Sequence, residues 1–466
     1  MFRPKRWPHE AWIPLSTGLL WLWCAASFGV VGFVFSLLPG CLLLSAAVST
    51  FLYPGDVRIP QFIAAGGLLG VPLSLPAFVV AGVPTGLALL LLSAMSFVTA
   101  GALSVQQEPH EDEVPEPEPS IGLAAQVAID DAILASLSIR TTLNIEPEEV
   151  VTEIREAHAL FSSRGWLESP REYHPAPPDL VDPSTSVDKA WGIEFEHLRW
   201  TSDYEPHAGE PGRDRWLDYT PNRAAHAWVL RHPTQARPWL ICVPGYEMGF
   251  PRFDFAGFQV WKLIEDLGLN VAIPVLPFHG PRRISFFSGT GFLAGNFLDT
   301  IHAEAQAMWD IRRLHGWIRR QYDGPVGVYG LSLGGYNASL FSCLVDDLAC
   351  VVAGIPATDF TRLTWRHAPA IELRYAERHG MLHDEIAEVL RVVSPLAMPS
   401  QVAKEHRHIF AGIADRLVPP DQPRDLWRHW DRPQIAWYMG GHLTFRAHPE
   451  MRAVLPDALR AAGMLT

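Results

Sequence analysis

The stretch Gly330-Leu331-Ser332-Leu333-Gly334-Gly335 follows a short β-prone run, Val326 to Tyr329, and precedes a helix-compatible run, Tyr336 to Val345. A strand, a Gly-x-Ser-x-Gly turn and a helix form an elbow so tight that the serine is held in a strained backbone conformation. Glycines at the flanking positions let the strand and the helix close on each other. The pattern predicts that Ser332 is exposed at the carboxyl edge of a sheet.

The rest of the chain from about residue 188 supplies that sheet, because short apolar runs alternate there with helical patterns. Eight strands are predicted, at Gly192 to Trp200, Ala225 to Arg231, Trp239 to Val243, Val271 to Val275, Val326 to Tyr329, Val351 to Ile355, His408 to Ile413 and Gln434 to Tyr438. Helices are predicted at Ile121 to Leu137, Pro147 to Phe161, Phe255 to Leu267 and Leu298 to Arg320. The predicted fold class is therefore α/β, with an eight-stranded, mostly parallel sheet and flanking helices.

Two residues downstream of Ser332 are candidates for the partners that a nucleophilic serine needs. Serine is a weak nucleophile at neutral pH and requires a base, usually a histidine oriented by a carboxylate. Asp415 follows the predicted strand at 408–413, and His442 follows the one at 434–438. All three residues also have a structural alternative. Ser332 could be a turn serine, Asp415 a turn or helix N-cap residue, and His442 a loop histidine. Their occurrence together, in this order, favours a nucleophilic site.

With these motifs in register, the sequence resembles the α/β-hydrolase superfamily, in which the chain order is serine, acid and histidine. The resemblance extends from about Asp188 to the end of the chain. It implies that Ser332 is the nucleophile, His442 the base and Asp415 the acid.

The resemblance also implies an oxyanion hole made of two backbone N–H groups. One is that of Leu333, directly after the nucleophile. The other is that of Tyr246, in the loop after the third predicted strand, where Pro-Gly replaces the more frequent His-Gly of the family. Glu247 beside it is a candidate pocket residue, although a solvated loop position is the simpler interpretation.

Two further candidates concern the substrate pocket. His279 lies in the loop after the fourth predicted strand, and a structural role is favoured over a pocket role because the site already has its base. The segment 357–405 is longer than a strand connection requires and looks like the cap that many α/β-hydrolases carry over the site. Trp365 in this segment is a candidate lining residue.

The N-terminal part of the chain reads as a membrane region. Between Ala11 and Leu103 the only charged residues are Asp56 and Arg58. The stretches 12–53 and 60–103 are each long enough for two spans of about 20 residues. Four spans are therefore predicted, with three or two as alternatives.

The orientation follows from the basic residues Arg3, Lys5 and Arg6, which are expected to stay in the cytoplasm. An even number of spans then leaves the large C-terminal domain in the cytoplasm as well. The predicted organisation is a transmembrane region at 1–104, an acidic, proline-rich linker at 105–120, a helical connecting region at 121–187 and a catalytic domain at 188–466.

Composition narrows the function further. A net charge of −13 argues against nucleic acid as a partner, because phosphate binding needs clustered Lys and Arg. The sequence favours a membrane-anchored serine hydrolase that cleaves small-molecule or lipid esters, with the lipid bilayer as its other partner and no cofactor or metal. The alternatives are a peptidase or acyltransferase with the same triad, and a catalytically silent hydrolase-like module that binds a partner at the membrane.

Overall fold

The computed structural model describes residues 9–140, 146–234, 236–293 and 296–465. The chain divides into two compact units. The first, called the helical unit, comprises Met1–Thr142, Gly412–Pro420 and Trp437–His448. The second, called the sheet unit, comprises Leu143–Ala411, Asp421–Ala436 and Pro449–Thr466. The basic residues Arg3, Lys5 and Arg6, on which the predicted orientation rests, lie outside the described residues.

Apolar helices make up most of the described part of the helical unit. They are α1 (Trp12–Ser27), α2 (Gly29–Leu52), α3 (Ile59–Val80), α4 (Val83–Gln107) and α5 (Ile121–Arg140). Within the described residues, four helices, α2 to α5, are long and apolar enough to cross a membrane, whereas α1 has 16 residues. The number four agrees with the predicted number of spans. The set differs, because the prediction took two spans from 12–53 and treated α5 as part of a connecting region.

Small residues bring these helices close together. A Cβ on Gly67 would collide with the backbone of Phe97, and a Cβ on Gly101 with the carbonyl oxygen of Ala124. Apolar helices in lipid associate through such close backbone packing and through buried hydrogen bonds rather than through the hydrophobic effect. The packing of α3, α4 and α5 is therefore of the kind expected for helices in a bilayer.

The part of the chain that the structure describes forms a sheet of nine strands, and the prediction of eight mostly parallel strands is wrong. They are β1 (Ser184–Ala190), β2 (Ile193–Thr201), β3 (Ala224–Leu230), β4 (Trp239–Val243), β5 (Asn270–Pro274), β6 (Val326–Leu331), β7 (Cys350–Gly354), β8 (Arg407–Gly412) and β9 (Gln434–Tyr438). Their order is β1-β2-β3-β5-β4-β6-β7-β8-β9. The pairs β1–β2, β2–β3 and β3–β5 are antiparallel, and the run from β5 through β4, β6 and β7 to β8 is parallel. The sheet is therefore mixed.

All eight predicted strands are confirmed to within two residues at each end. The strand that the prediction missed, β1, is exposed at every position except Ala190. Its sequence, Ser-Thr-Ser-Val-Asp-Lys-Ala, lacks the apolar alternation by which a half-buried strand is recognised. It forms a hairpin with β2 that the hydrophobic pattern does not indicate.

Helices flank the strands in the sheet unit. They are α6 (Pro147–Ser163), α7 (Arg213–Asp218), α8 (Pro251–Phe258), α9 (Phe297–Arg319), α10 (Leu333–Leu344), α11 (Phe360–His367), α12 (Ala370–Arg378), α13 (His383–Leu390), α14 (Asp421–His429) and α15 (Met451–Ala461). The single helix predicted at 255–267 is wrong, because Gln259 takes a left-handed conformation with φ +50° that ends α8. A separate π-helical turn, Lys262–Asp266, follows. Helices α11 to α13 fall within the predicted cap.

The predicted domain boundaries stay predictions, and the compact units are drawn at other residues. Helix α5 groups with α1 to α4, together with the two segments 412–420 and 437–448. These segments contain the end of β8 and the end of β9 with the loops that follow. Asp415 and His442 thus belong to the helical unit, whereas Ser332 belongs to the sheet unit.

Candidate active site

Ser332 lies at the turn between β6 and α10, and its backbone is strained. Its φ of +59° and ψ of −117° fall in a region that residues with a side chain rarely adopt. The flanking glycines make the turn feasible: a Cβ on Gly330 would collide with the carbonyl oxygen of Gly334, and a Cβ on Gly334 with that of Val243. The Ser332 side chain is half-buried while its neighbours on both sides are buried. This is the geometry of a nucleophile elbow.

Leu333 is the first residue of α10. The first N–H groups of a helix have no acceptor within the helix and carry its partial positive charge. The N–H of Leu333 is therefore available for an anionic oxygen bound at Ser332.

The loop after β4 lies beside the serine. A Cβ built on Gly245 would lie 3.0 Å from the carbonyl oxygen of Leu331 and 3.5 Å from the Cβ of Ser332. Tyr246 is the next residue, so its N–H belongs to the segment that passes the nucleophile. Glu247 follows in a left-handed conformation, with φ +64°, and is neither fully buried nor fully exposed.

A buried carboxyl group, Asp254, fixes the far end of this loop. Its Oδ1 accepts a hydrogen bond from the N–H of Gly249 at 2.8 Å, and its Oδ2 accepts one from the indole of Trp228 at 2.8 Å. Burial raises the pKa of Asp254 to about 7. The sequence gives no signal for this role, because Asp254 lies in α8 and contacts the loop only in the folded chain.

His279 is fully buried in the loop after β5. Its Nδ1 lies 2.8 Å from the carbonyl oxygen of Pro277, and its ring stands edge-on to that of Tyr246 with centroids 5.8 Å apart. Burial lowers the pKa of His279 to about 4, so the ring is neutral at pH 7. The ring contact with Tyr246 joins the loops after β4 and β5, and a role of His279 in lining the pocket stays a prediction.

The loops after β4 and β5 are also joined through a serine. Ser288 donates from Oγ to the carbonyl oxygen of Met248 at 2.6 Å and accepts the N–H of Gly280 at 2.9 Å. Gly249 and Gly280 pass so closely that a Cβ on Gly280 would overlap the carbonyl oxygen of Gly249. The loop that carries Tyr246 is thus held from its neighbour as well as from Asp254.

Trp365 lies in α11, within the segment predicted to be a cap. Its ring packs against those of Phe297 at 6.4 Å and His383 at 5.3 Å, and its indole N–H reaches Glu377 at 3.4 Å. These contacts hold α11 to other helices of the sheet unit. A role in lining the pocket stays a prediction.

In the helical unit, Asp415 and His442 form a buried pair. The Asp415 Oδ2 atom lies 2.6 Å from His442 Nδ1, and Asp415 Oδ1 accepts the N–H of Val418 at 2.8 Å. Burial lowers the pKa of His442, but the charge and the hydrogen bond of Asp415 outweigh burial and raise it above the ordinary value. A ring nitrogen facing a carboxylate carries the proton, which leaves Nε2 with a free lone pair. Asp415 therefore fixes the orientation of the His442 ring.

A third carboxyl group, Asp130 of α5, touches the same loops and was not predicted. Its Oδ2 accepts the backbone N–H of His442 at 2.7 Å and that of Arg416 at 3.1 Å. One signal was present in the sequence: Asp130 and Asp131 interrupt an otherwise apolar helix at its centre. Ionisable residues in such a helix are functional candidates by default.

In residues 9–140, 146–234, 236–293 and 296–465, no group of three or more His, Cys, Asp or Glu side chains could hold a metal ion.

The structure brings the predicted site residues together in two sets. Ser332, Leu333 and the Tyr246 loop meet in the sheet unit, and Asp415 and His442 meet in the helical unit.

Comparison with known proteins finds relatives of similar sequence. No protein-family model matches the chain. Two proteins described as uncharacterized, from two strains of Mycobacterium tuberculosis, are each 41% identical over 359 residues. The match covers 76% of this chain and 86% of each relative.

Several solved structures are more distantly similar. Acetyl xylan esterase 1 from Thermoanaerobacterium is 17% identical, with 64% of this chain and 98% of that chain covered and a TM-score of 0.43. An acetyl xylan esterase from Paenibacillus is 16% identical, with 62% and 98% covered and a TM-score of 0.44. An esterase from Pyrococcus furiosus is 15% identical, with 62% and 96% covered and a TM-score of 0.36. At these values the similarity bears neither on the substrate nor on the residues of this chain.

Proposed function

The chain belongs to the same family as the two Mycobacterium tuberculosis proteins, and we propose that it is a membrane-associated serine hydrolase of the α/β-hydrolase type that cleaves carboxylic esters. The observation that carries the proposal is the backbone of Ser332, which is strained at φ +59° between a buried strand and a helix. A strained non-glycine residue persists only where its surroundings hold it, and such residues cluster at functional sites.

The Asp415–His442 pair supports the same function from the other unit. Parallel neighbours β6, β7 and β8 end at one edge of the sheet, Ser332 directly follows β6, and Asp415 comes three residues after β8. We propose that His442 Nε2 serves as the base for the Ser332 hydroxyl. Asp415 would hold the imidazole in the required tautomer.

The proposed reaction has two halves. Ser332 Oγ attacks the acyl carbon while His442 takes its proton, and the N–H groups of Leu333 and Tyr246 stabilise the charge that develops on the carbonyl oxygen. His442 returns the proton to the leaving alcohol, which leaves an acyl-serine. Water, deprotonated by His442, then attacks the acyl-serine and releases the acid, and the proton returns to Ser332.

The substrate class follows from the apolar helices. Four of them are long and apolar enough to span a membrane. Attachment to a bilayer raises the local concentration of lipid-borne esters. We therefore propose a lipid or other lipophilic ester as substrate, with the C-terminal domain on the cytoplasmic side. Reporter fusions at the C-terminus test the side, and an exported reporter would contradict it.

A fluorophosphonate probe tests the nucleophile directly. The full chain in detergent should be labelled, and Ser332→Ala should abolish the labelling. Ser339→Ala is the matched control, because Ser339 is a buried serine of α10, the helix after Ser332, and its hydroxyl donates to the carbonyl oxygen of Gly335 at 2.7 Å. Labelling that persists in Ser332→Ala would refute the assignment. Folded wild-type protein that is never labelled would favour the catalytically silent binding module.

A substrate panel then separates the activities that one triad can serve. Hydrolysis of p-nitrophenyl esters of increasing chain length tests the esterase, and a peptide p-nitroanilide tests a peptidase. Product analysis with an added alcohol tests acyl transfer. The proposal predicts ester hydrolysis, with preference for longer acyl chains; cleavage of the anilide alone would contradict it.

A further inference from the structure

Two adjacent carboxyl groups lie at the centre of α5, in a stretch long and apolar enough to cross a membrane, Ile121–Ser138. Asp130 and Asp131 are both fully buried. Burial of a carboxylate is strongly unfavourable unless hydrogen bonds or a cation compensate it. The partners of these two side chains therefore indicate what this part of α5 is for.

Asp130 binds the backbone of both loops that carry the proposed acid and base. Its Oδ2 accepts the N–H of His442 at 2.7 Å and the N–H of Arg416, the residue after Asp415, at 3.1 Å. Both N–H groups donate to the same carboxyl oxygen of Asp130. The two loops are thus fixed to one oxygen atom, and so to each other.

Gly441 makes the approach of Asp130 feasible. A Cβ on Gly441 would lie 2.5 Å from Asp130 Oδ2, closer than real Cβ atoms come to such an atom. The Gly-Gly pair before the histidine therefore leaves room for the carboxylate of α5. This is a physical reason for glycine at that position, additional to loop flexibility.

Asp131 binds the side chain of Arg416, the residue after the proposed acid. Its Oδ1 lies 3.2 Å from Arg416 Nε, and its Oδ2 accepts the hydroxyl of Ser104 at 2.6 Å. Arg416 also donates to the carbonyl oxygen of Val57 at 2.9 Å and pairs with Glu108. The residue next to the proposed acid is thereby held from α4, α5 and the α2–α3 connection.

We propose that Asp130 is a positioning residue for the reaction, which holds the acid loop and the histidine loop at the separation that the Asp415–His442 hydrogen bond requires. The inference rests on the proposed function. It assigns the apolar helices a part in catalysis as well as in membrane attachment. Asp130 acts through the two backbone N–H groups and does not touch the reacting atoms.

Hydrogen exchange in the full-length protein tests the positioning without any need for activity. Asp130→Leu keeps the branching of Asp but has bulkier methyl groups and no acceptor, whereas Asp130→Asn has the size of Asp and keeps one oxygen. In Asp130→Leu we expect exchange of peptides from 412–420 and 437–448 to rise about 100-fold or more, and in Asp130→Asn about 3- to 10-fold. Ser93→Ala, which removes the buried acceptor of the Trp21 indole between α1 and α4, is the control and should leave both segments unchanged.

Steady-state kinetics with a p-nitrophenyl ester provides the second readout. Displacement of a base by about 1 Å costs about 100-fold in rate, so we expect kcat of Asp130→Leu to fall by about that factor. KM should stay within about twofold, because Asp130 is fully buried and acts through backbone N–H groups. Asp130→Asn should recover most of the loss. Failure of the proposed function is distinguishable, since the wild type would then show no Ser332-dependent turnover while the exchange result remained measurable.

Two outcomes would overturn the inference. One is unchanged exchange in both segments in either variant of Asp130. The other is a kcat of Asp130→Leu within about threefold of wild type. If Asp130→Leu does not yield folded protein by size-exclusion chromatography, Asp130→Asn decides through its exchange, and equal exchange to wild type then refutes the role.

Discussion

Asp415→Asn is the most informative single change, because the two oxygens of Asp415 have different partners. Oδ1 accepts the N–H of Val418 at 2.8 Å, and Oδ2 faces His442 Nδ1 at 2.6 Å. An asparagine amide has one acceptor oxygen and one NH₂ group. The oxygen is needed by Val418, so the NH₂ turns to the ring. His442 Nδ1 must then accept a proton, and the ring proton moves to Nε2, where the base should have its lone pair.

The expected loss in kcat is about 10⁴-fold, the value typical of a triad whose histidine is held in the wrong tautomer. This factor corresponds to roughly 5.5 kcal/mol of transition-state stabilisation. The fold should survive, because Asn has nearly the same size as Asp and keeps the bond to Val418.

The pH profile should change as well. The carboxylate of Asp415 raises the pKa of His442 against the effect of burial. Its removal lowers that pKa, so the acid limb of kcat/KM, on which His442 is protonated and inactive, moves to lower pH. The charge of Asp130 also raises the pKa of His442 and remains in place, which limits the size of the shift.

The assay is hydrolysis of a p-nitrophenyl ester from pH 4 to 9 in detergent, with fluorophosphonate labelling rates as a second measure. Asp457→Asn, an exposed carboxylate paired with Arg460, is the control and should match wild type. A kcat of Asp415→Asn within tenfold of wild type would refute the orienting role, as would an acid limb that does not move.

Two further changes test the supports of the serine. Gly334→Ala places a Cβ against the carbonyl oxygen of Val243. The Cβ and this oxygen are both held by the backbone and cannot move apart without shifting the turn, so we expect kcat to fall at least about 100-fold. A wild-type rate in the folded variant would contradict the elbow. His279→Gln removes a buried ring whose pKa is lowered to about 4. Because the unfolded histidine titrates near 6.5 and the folded one does not until about 4, the wild type should lose roughly 2 kcal/mol of stability relative to the variant between pH 7 and pH 5. Denaturant unfolding at both pH values measures this difference, and equal pH dependence would refute burial of a neutral ring.

Much of the sheet could be predicted from local pattern, and the exceptions have local causes. The run 239–243 is buried at every position, and its continuous apolar sequence is recognisable as a strand. Strand β1 has no such pattern because it is exposed at all positions but one. The break after α8 depends on one residue, Gln259, which takes a left-handed conformation that a glutamine in the sequence does not indicate.

The candidate site was accessible from the sequence only where its residues carry a motif. Ser332 and His442 stand beside glycines at strand ends, which a pattern can find. Asp130 bonds to a residue 312 positions later in the chain, and no local spacing encodes such a contact. What the sequence did contain was the anomaly of two carboxylates in an apolar helix, which indicates a role without naming the partner.

The contacts of Arg416 bear on whether the apolar helices are a detachable anchor. Its side chain is almost fully buried, and its acceptors, Asp131, Glu108 and the carbonyl oxygen of Val57, all precede residue 188. A chain that began at the predicted start of the catalytic domain would leave this guanidinium without them. It would also lack Leu123 and Val127, against which Ala414 and Met439 pack, and these two apolar side chains would be exposed. The loops of the proposed acid and base therefore pack on the N-terminal helices, and removal of those helices would deprive both loops of their contacts.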